Sequence, residues 1–277
     1  MITNKQTTTS DRAEQMHTGT AMLKKRRQMT QEQAHNSGKW GMADLHMHST
    51  YSDGMATIEQ ILRYTEYNTT LDVIAITDHD VIEGSHRACD LWAKGKYRFD
   101  VVVGEEISTK QGHLLALYIE KCIPPGLSME RSIDLIHEQG GLAIVAHPLN
   151  RVFRHSCQRH VLDRIHASSD VWLDGIETWN ASFCGIGANR VAMHANRVEY
   201  GYGWAEVGNS DAHTLSSIGC GYTWFEGQSA KNVRASIEAG LSAPGGKLWG
   251  VNDYLRIAQH LLSMRTPLAR NRKLHAA

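Results

Sequence analysis

A chain of 277 residues, 42% of them hydrophobic, is long enough to bury the core of one large domain, and 29 acidic residues against 29 basic ones exclude a general attraction to nucleic acid or anionic membrane. Five cysteines at wide spacing, with no CxxC pair, exclude a disulfide framework and a cysteine-based structural zinc site. They read as reduced thiols in a soluble cytoplasmic protein, and no apolar run is long enough to span a bilayer.

Residues 1–40 are rich in Thr, Gln, Lys and Arg without a hydrophobic period and read as a disordered tail. The basic run Lys24–Arg27 has no apolar stretch after it, so it reads as solvated rather than as a secretory signal. From Ala43 onward, short apolar runs alternate with amphipathic segments. A strand is expected over Ala43–Met47, then a helix over Thr57–Tyr67 opened by a Thr57/Gln60 capping box. A strand over Val73–Thr77 and a helix over Glu83–Trp92 follow, then strands over Val101–Glu105 and Leu114–Ile119. The gap between these last two cannot hold a crossover helix, so a hairpin is expected there. Next come a helix over Ser128–Glu138 stopped at Gly140-Gly141, strands over Ala143–Ala146 and Gly175–Thr178, and a helix over Arg190–Glu199. A strand over Ala205–Gly208 and a helix over Ala230–Ala239, capped by Ser229 and stopped at Gly240, complete the alternation. The last element is an amphipathic helix over Val251–Ser263, with Tyr254, Leu255, Ala258, Leu261 and Leu262 on one face, before a basic stretch from Arg265 to Lys273.

This order predicts an α/β fold with a mostly parallel sheet, and seven strands suffice for a closed barrel as well as for an open sheet. The predicted organisation is a tail over 1–40, a domain over 41–245, and a C-terminal helix with a basic tail over 246–277.

Sixteen histidines exceed what packing asks of a neutral protein, and their placement is informative. The first strand ends in His46 and His48, with Asp53 just beyond; the second in Asp78, His79 and Asp80; the third in Glu105 and Glu106. His113 opens the returning arm of the hairpin, His147 ends the next strand, Glu177 ends another, and Asp211 and His213 follow the last. In a parallel barrel these strand ends converge on one mouth. His46 and His48 alternate along a strand and so share a face. Imidazoles gathered with carboxylates suit zinc, manganese or iron, and so many donors satisfy more than one ion. Close metal pairs clamp phosphoryl transfer.

The series His46-x-His48 with Ser52-Asp53-Gly54, Thr77-Asp78-His79-Asp80, Gly104 with Glu105 or Glu106, Ala146-His147-Pro148 and Ser210-Asp211-Ala212-His213 resembles the polymerase and histidinol phosphatase (PHP) family over about residues 43–245. The resemblance implies a distorted seven-stranded, TIM-like β/α barrel with a trinuclear metal centre that hydrolyses phosphoesters. It implies one ion held by His46, His48, Glu105 and Asp211, a second sharing Glu105 and adding His113 and His147, and a third taken by Asp53, His79 and His213. Strand alternation favours Glu105 over Glu106, by placing it on one face with Val101 and Val103. Asp78 and Asp80 are candidates to orient His79, Glu177 to face the metals or pair within the barrel, and Arg151 and Arg154 to grip a substrate phosphate.

These residues predict a phosphoesterase using about three divalent ions (Zn, Mn or Fe) and a metal-activated hydroxide, with Asp211 or His213 moving the proton. Small phosphomonoesters are the first-choice substrates: a nucleotide, sugar or amino-alcohol phosphate. A nuclease acting on nucleic-acid ends and a non-catalytic metal-stabilised module are the rivals. No membrane partner is expected, and the oligomeric state stays open.

Overall fold

The computed structural model describes residues 40–153 and 155–264. Apart from Trp40, the tail expected over 1–40 lies outside these residues, as do Arg154 and the basic stretch after Met264. The chain folds as β1 (Trp40–Asp44), α1 (Ile58–Asn68), β2 (Val73–Ile76), α2 (Glu83–Lys94), β3 (Asp100–Thr109), β4 (Gly112–Leu117), α3 (Met129–Glu138), β5 (Leu142–Val145), α4 (Arg159–His166), β6 (Gly175–Asn180), α5 (Ala188–His194), β7 (Ala205–Asn209), β8 (Gly221–Glu226), α6 (Ala230–Glu238), β9 (Ala243–Gly246) and α7 (Val251–Met264). Helix α5 runs on through a π-helical turn over Ala195–Glu199.

The nine strands form one sheet in the order β7-β6-β5-β4-β3-β2-β1-β8-β9. β1, β2 and β3 are parallel, as are β5, β6 and β7, while β4 runs antiparallel to both neighbours. The sheet curls into a nearly closed barrel. Side chains and one short bridge join the β7 end back to β1: Leu45 N–H donates to Asn209 Oδ1 at 2.9 Å, Ser210 N–H to Asp44 Oδ1 at 3.0 Å, and His48 N–H to the Ala212 carbonyl at 2.8 Å. Thr223 on β8 clips to β7 by exchanging hydrogen bonds with both backbone groups of Gly208, at 3.0 and 2.8 Å.

Seven strands were expected and nine are present among the described residues. The additional pair, β8 and β9, is antiparallel and flanks β1. β9 reads Ala-Pro-Gly-Gly, a segment with no hydrophobic alternation to betray a strand. Helix α4, where the sequence placed His160 in a helical stretch without bounds, buries Val161, Leu162 and Ile165.

Two kinds of core hold the barrel. Inside it pack Ala43, Leu45, Val73, Ala75, Val102, Leu115, Ile144, Val207 and Phe225. Between sheet and helices lie two further clusters, one around Ile107, Leu114, Ile133, Val145 and Leu162, the other around Ile58, Leu62, Ile74, Ile76 and Phe99. Strands covered on both sides carry apolar residues on both faces. Helix α1 begins with the expected capping box, Gln60 N–H donating to Thr57 Oγ1 and Thr57 N–H to Gln60 Oε1. Ser229 and Asn232 make the same arrangement at α6.

Helix α7 docks differently from its predicted face. Tyr254 and Ile257 pack toward Trp249, Ala181 and Cys220, whereas Leu255 and Leu262 are more than half exposed and Ala258 is exposed. The buried Asp253 pins the helix, accepting from Thr214 Oγ1 at 2.8 Å and Gly250 N–H at 3.1 Å. A polar anchor thus sets the rotation of the helix where the hydrophobic period alone chose another. No helix among the described residues is long and apolar enough to cross a membrane.

Candidate metal centre

The mouth of the barrel is built by the segments that follow β1, β2, β5 and β7, together with the β3–β4 hairpin. After β1 the chain turns tightly through Ser49–Gly54, with Gly54 N–H donating to the Ser49 carbonyl at 2.9 Å. A Cβ on Gly54 would lie 2.3 Å from the carbonyl oxygen of His48, so only glycine lets this turn press against the histidine. In the hairpin, Ser108 lies opposite His113 and Glu106 opposite Leu115. His147 and Asp211 are held at positive φ, 28° and 52°. Such backbone conformations in non-glycine residues cost about 1–3 kcal/mol each and persist where surrounding structure over-determines them.

Glu106, not Glu105, enters the centre. Val102, Gly104 and Glu106 face inward, while Val101, Val103 and Glu105 turn to the helices. The sequence Val101-Val102-Val103 is apolar on both faces, so alternation could not tell inside from outside, and the choice of Glu105 fell on the wrong parity. Glu105 is buried on the outer wall, accepting from Ile123 N–H at 3.0 Å and the Cys122 thiol at 3.3 Å.

The Glu106 carboxylate is the hub. Its Oε2 lies 3.0 Å from His46 Nε2, 3.2 Å from His48 Nε2 and 3.2 Å from His79 Nδ1. Its Oε1 lies 2.8 Å from His113 Nδ1 and 3.0 Å from His147 Nε2. Asp211 Oδ1 lies 3.2 Å from His48 Nε2 and 3.4 Å from His46 Nε2. On the open side, Asp53 Oδ2 is 3.1 Å from His213 Nε2 and 3.8 Å from His79 Nε2. Donor atoms fall within 4.8 Å of one another in four groups: His46, His48, Glu106 and Asp211; His79, Glu106 and His113; His48, Asp53, His79 and His213; and His147, Cys184 and Asp211. Eight of the nine residues expected to hold metal are therefore gathered at the mouth, with Glu106 in the ninth place.

The donors fit cations. His46 Nε2, His48 Nδ1, His79 Nδ1 and Glu106 Oε2 are buried and make no aligned hydrogen bond, although opposite partners lie close by, and His147 Nδ1 is buried with no hydrogen-bond partner. Polar atoms that converge on a shared point rather than on each other suit bound ions. Burial alone would raise the Glu106 carboxyl, but the imidazoles of His46, His79 and His113 outweigh it and hold the group well below the usual carboxylate range. Burial opposes charge on His48 too, yet Asp211 and Glu106 lift it to about 10. For His79 burial dominates over the pull of Glu106 and lowers the ring below the usual imidazole value.

The supporting residues differ in part from expectation. Glu177 holds His46, with Oε1 3.1 Å from Nδ1, which leaves Nε2 aimed at Glu106 and Asp211. Its other oxygen accepts from His147 N–H at 2.7 Å and from Asn180 Nδ2 at 2.9 Å. This is the carboxylate–histidine arrangement that fixes the tautomer of a ligating imidazole. Asp78 and Asp80 do not orient His79. Asp78 accepts from Ser49 N–H at 2.7 Å and Ser52 Oγ at 2.6 Å, tying down the turn that carries Asp53. Asp80 accepts from Ser108 N–H at 2.7 Å and so braces the hairpin. Arg151 is exposed on the loop after β5 and makes no ion pair among the described residues, and Arg154 lies outside them. Sequence reasoning placed Asn180 at the mouth together with Glu177, and missed Ser182 and Cys184. Ser182 Oγ donates to Asp211 Oδ2 at 2.9 Å. Asn180 was legible three residues after Glu177 at a strand end; Ser182 and Cys184 carried no signal.

Comparison with known proteins agrees with this fold. A family model described as PHP-associated matches residues 193–241, the stretch that includes β7, Asp211 and His213. Protein MJ1587 of Methanocaldococcus jannaschii is 35% identical over 163 residues, which span 55% of this chain and 89% of that protein. A 5'-3' exoribonuclease of Haemophilus influenzae is 31% identical over 105 residues, 36% of this chain and 37% of that enzyme. Among solved structures, a two-domain protein of Bacteroides vulgatus, described as containing a predicted PHP-like metal-dependent phosphoesterase, shares the fold with a TM-score of 0.60 at 19% identity, over 79% of this chain and 69% of that one.

Proposed function

Because this chain belongs to the PHP family, we propose that it hydrolyses small phosphomonoesters with the help of about three divalent ions, zinc, manganese or iron, held at the barrel mouth. The observation that carries this reading is the single buried carboxylate of Glu106, met by five imidazoles, with orphaned donor atoms around it. Ions bound there would supply Lewis-acid charge to the phosphoryl oxygens and would lower the pKa of a bound water. His46, His48, Glu106 and Asp211 hold one; Glu106, His113 and His147 another; Asp53, His79 and His213 the third. The substrate enters on the side of Asp53, His79 and His213, whose side chains are the more exposed members of the set. Asp211 or His213 takes the proton from the water, and Arg151 steadies the phosphate.

Nucleotides are favoured within the substrate class. Phe183, half exposed, follows Ser182, which bonds Asp211, and its ring lies 5.8 Å from that of Phe153 on the neighbouring loop. Two aromatic rings beside a phosphate site offer a planar base a surface to stack on. Five free thiols suit a reducing compartment such as the cytoplasm. The test is phosphate release from a panel of nucleoside monophosphates, sugar phosphates and amino-alcohol phosphates with manganese or zinc, repeated with His147→Ala and Asp211→Asn. Release from at least one monoester, lost in both variants, is expected. A metal-loaded protein inert toward every ester would leave a binding module in place of an enzyme.

The likeness to the Haemophilus exoribonuclease favours a second reading, trimming of RNA ends. Salt-dependent binding and stepwise shortening of an end-labelled single strand, exceeding monoester turnover, would establish it instead.

A further inference from the structure

Cys184 lies beside the centre and takes no part in the ligand sets assigned above. It sits in the short turn Phe183–Gly185 after β6, and that turn is fixed from several directions. Cys184 N–H donates to Ser182 Oγ at 3.1 Å, and its carbonyl accepts from Asn150 Nδ2 at 2.6 Å. A Cβ on Gly185 would lie 1.9 Å from the Asn180 carbonyl oxygen, so the turn is pressed against the strand that carries Glu177. Within this frame Cys184 is 8% exposed, His147 5% and Asp211 4%. Each of the three offers a donor atom, and these atoms lie within 4.8 Å of one another. His147 also presents a buried Nδ1 with no hydrogen-bond partner. The pattern differs from the other buried thiols, Cys157 and Cys220, which share no such group.

We propose that Cys184 is a thiolate ligand of the ion assigned to Glu106, His113 and His147, on its Asp211 side, so that one position of the centre is sulfur-bound. This rests on the metal-dependent reading above. On binding, the S–H bond breaks, its proton passes to solvent, and the sulfur lone pair is shared with the cation, with no change of oxidation state. Thiolate ligation favours zinc, cobalt or ferrous iron over manganese and magnesium, which prefer oxygen donors. The sulfur thus biases metal choice at one position and exposes that position to loss by thiol oxidation.

The experiment is an anaerobic cobalt(II) titration of the metal-stripped full chain, followed by absorption. Ligand-field bands in the visible report cobalt in the centre whatever its donors, and a sulfur-to-cobalt charge-transfer band in the near ultraviolet reports thiolate ligation. Both are expected in the wild-type protein. Cys184→Ser should keep the visible bands, lose the near-ultraviolet band, and lose about tenfold or more of its preference for zinc over manganese. Cys122→Ser should keep both bands. If Cys184→Ser does not fold, alkylation of wild-type Cys184, mapped by mass spectrometry, replaces it: cobalt should slow the reaction at this residue, and equal rates with and without cobalt would overturn the proposal. Visible bands without the ultraviolet band, or an ultraviolet band that survives Cys184→Ser, overturn thiolate ligation and leave the metal centre standing. Absence of both bands removes the centre and the proposal together.

Discussion

Replacing Glu105 by glutamine tests the inside–outside assignment of β3. The Glu105 carboxyl is buried against the loop at Cys122 and Ile123, and burial, helped by the nearby charges of Asp80 and Glu83, pushes it from an ordinary 4.5 to about 7 against the opposing hydrogen bonds from Ile123 and Cys122. Below pH 4.5 the group is protonated in the folded and unfolded chain alike, so it costs nothing. Between 4.5 and 7 the unfolded chain ionises while the folded one keeps its proton, and stability is lost as pH rises. Above 7 the full cost applies, about 3 kcal/mol at about 1.4 kcal/mol per pH unit. Glutamine keeps an acceptor for Ile123 N–H and never ionises. Glu105→Gln should therefore unfold in urea like the wild type near pH 4.5 and be more stable by up to about 3 kcal/mol at pH 8, with metal content unchanged. A difference independent of pH, or a loss of bound metal, would refute the assignment.

Three other outcomes follow from the same geometry. Glu177→Gln weakens the grip on His46 Nδ1 and should lower metal affinity about 10- to 100-fold, measured by competition with a chromophoric chelator. Gly54→Ala places a methyl 2.3 Å from the His48 carbonyl oxygen, and should cost about 3 kcal/mol and lower metal content, read by thermal melting and elemental analysis. Phe183→Ala should raise KM for a nucleoside monophosphate about tenfold while leaving a sugar phosphate unaffected, as steady-state phosphate release would show.

The residues that gather at the mouth were legible because each sits at a strand end beside a short apolar run: His46 and His48 after β1, His79 after β2, His147 after β5, and Asp211 with His213 after β7. The hairpin was legible from the short gap before His113. What alternation could not supply was the facing of β3, because helices cover the outside of the barrel and make Val101, Val102 and Val103 equivalent by hydrophobicity. Asp78 and Asp80 adjoin His79 in sequence, yet their carboxylates are taken by backbone and hydroxyl donors of Ser49, Ser52 and Ser108, partners set by tertiary approach. Cys184 lies near Asp211 only because the turn after β6 folds back over β7. The docked face of α7 was chosen by the buried Asp253 and not by Leu255 or Leu262; the side chain of Leu261, also placed on the predicted face, lies outside those described.

The most direct test of the central claim is a count of bound ions by elemental mass spectrometry, paired with phosphate release, for the wild type, Glu106→Gln and Glu105→Gln. The hub carboxylate should be indispensable. The wild type and Glu105→Gln should each carry about three ions and turn over the ester, whereas Glu106→Gln should keep about one or fewer and release no phosphate. Full metal content and turnover in a folded Glu106→Gln protein would contradict the account.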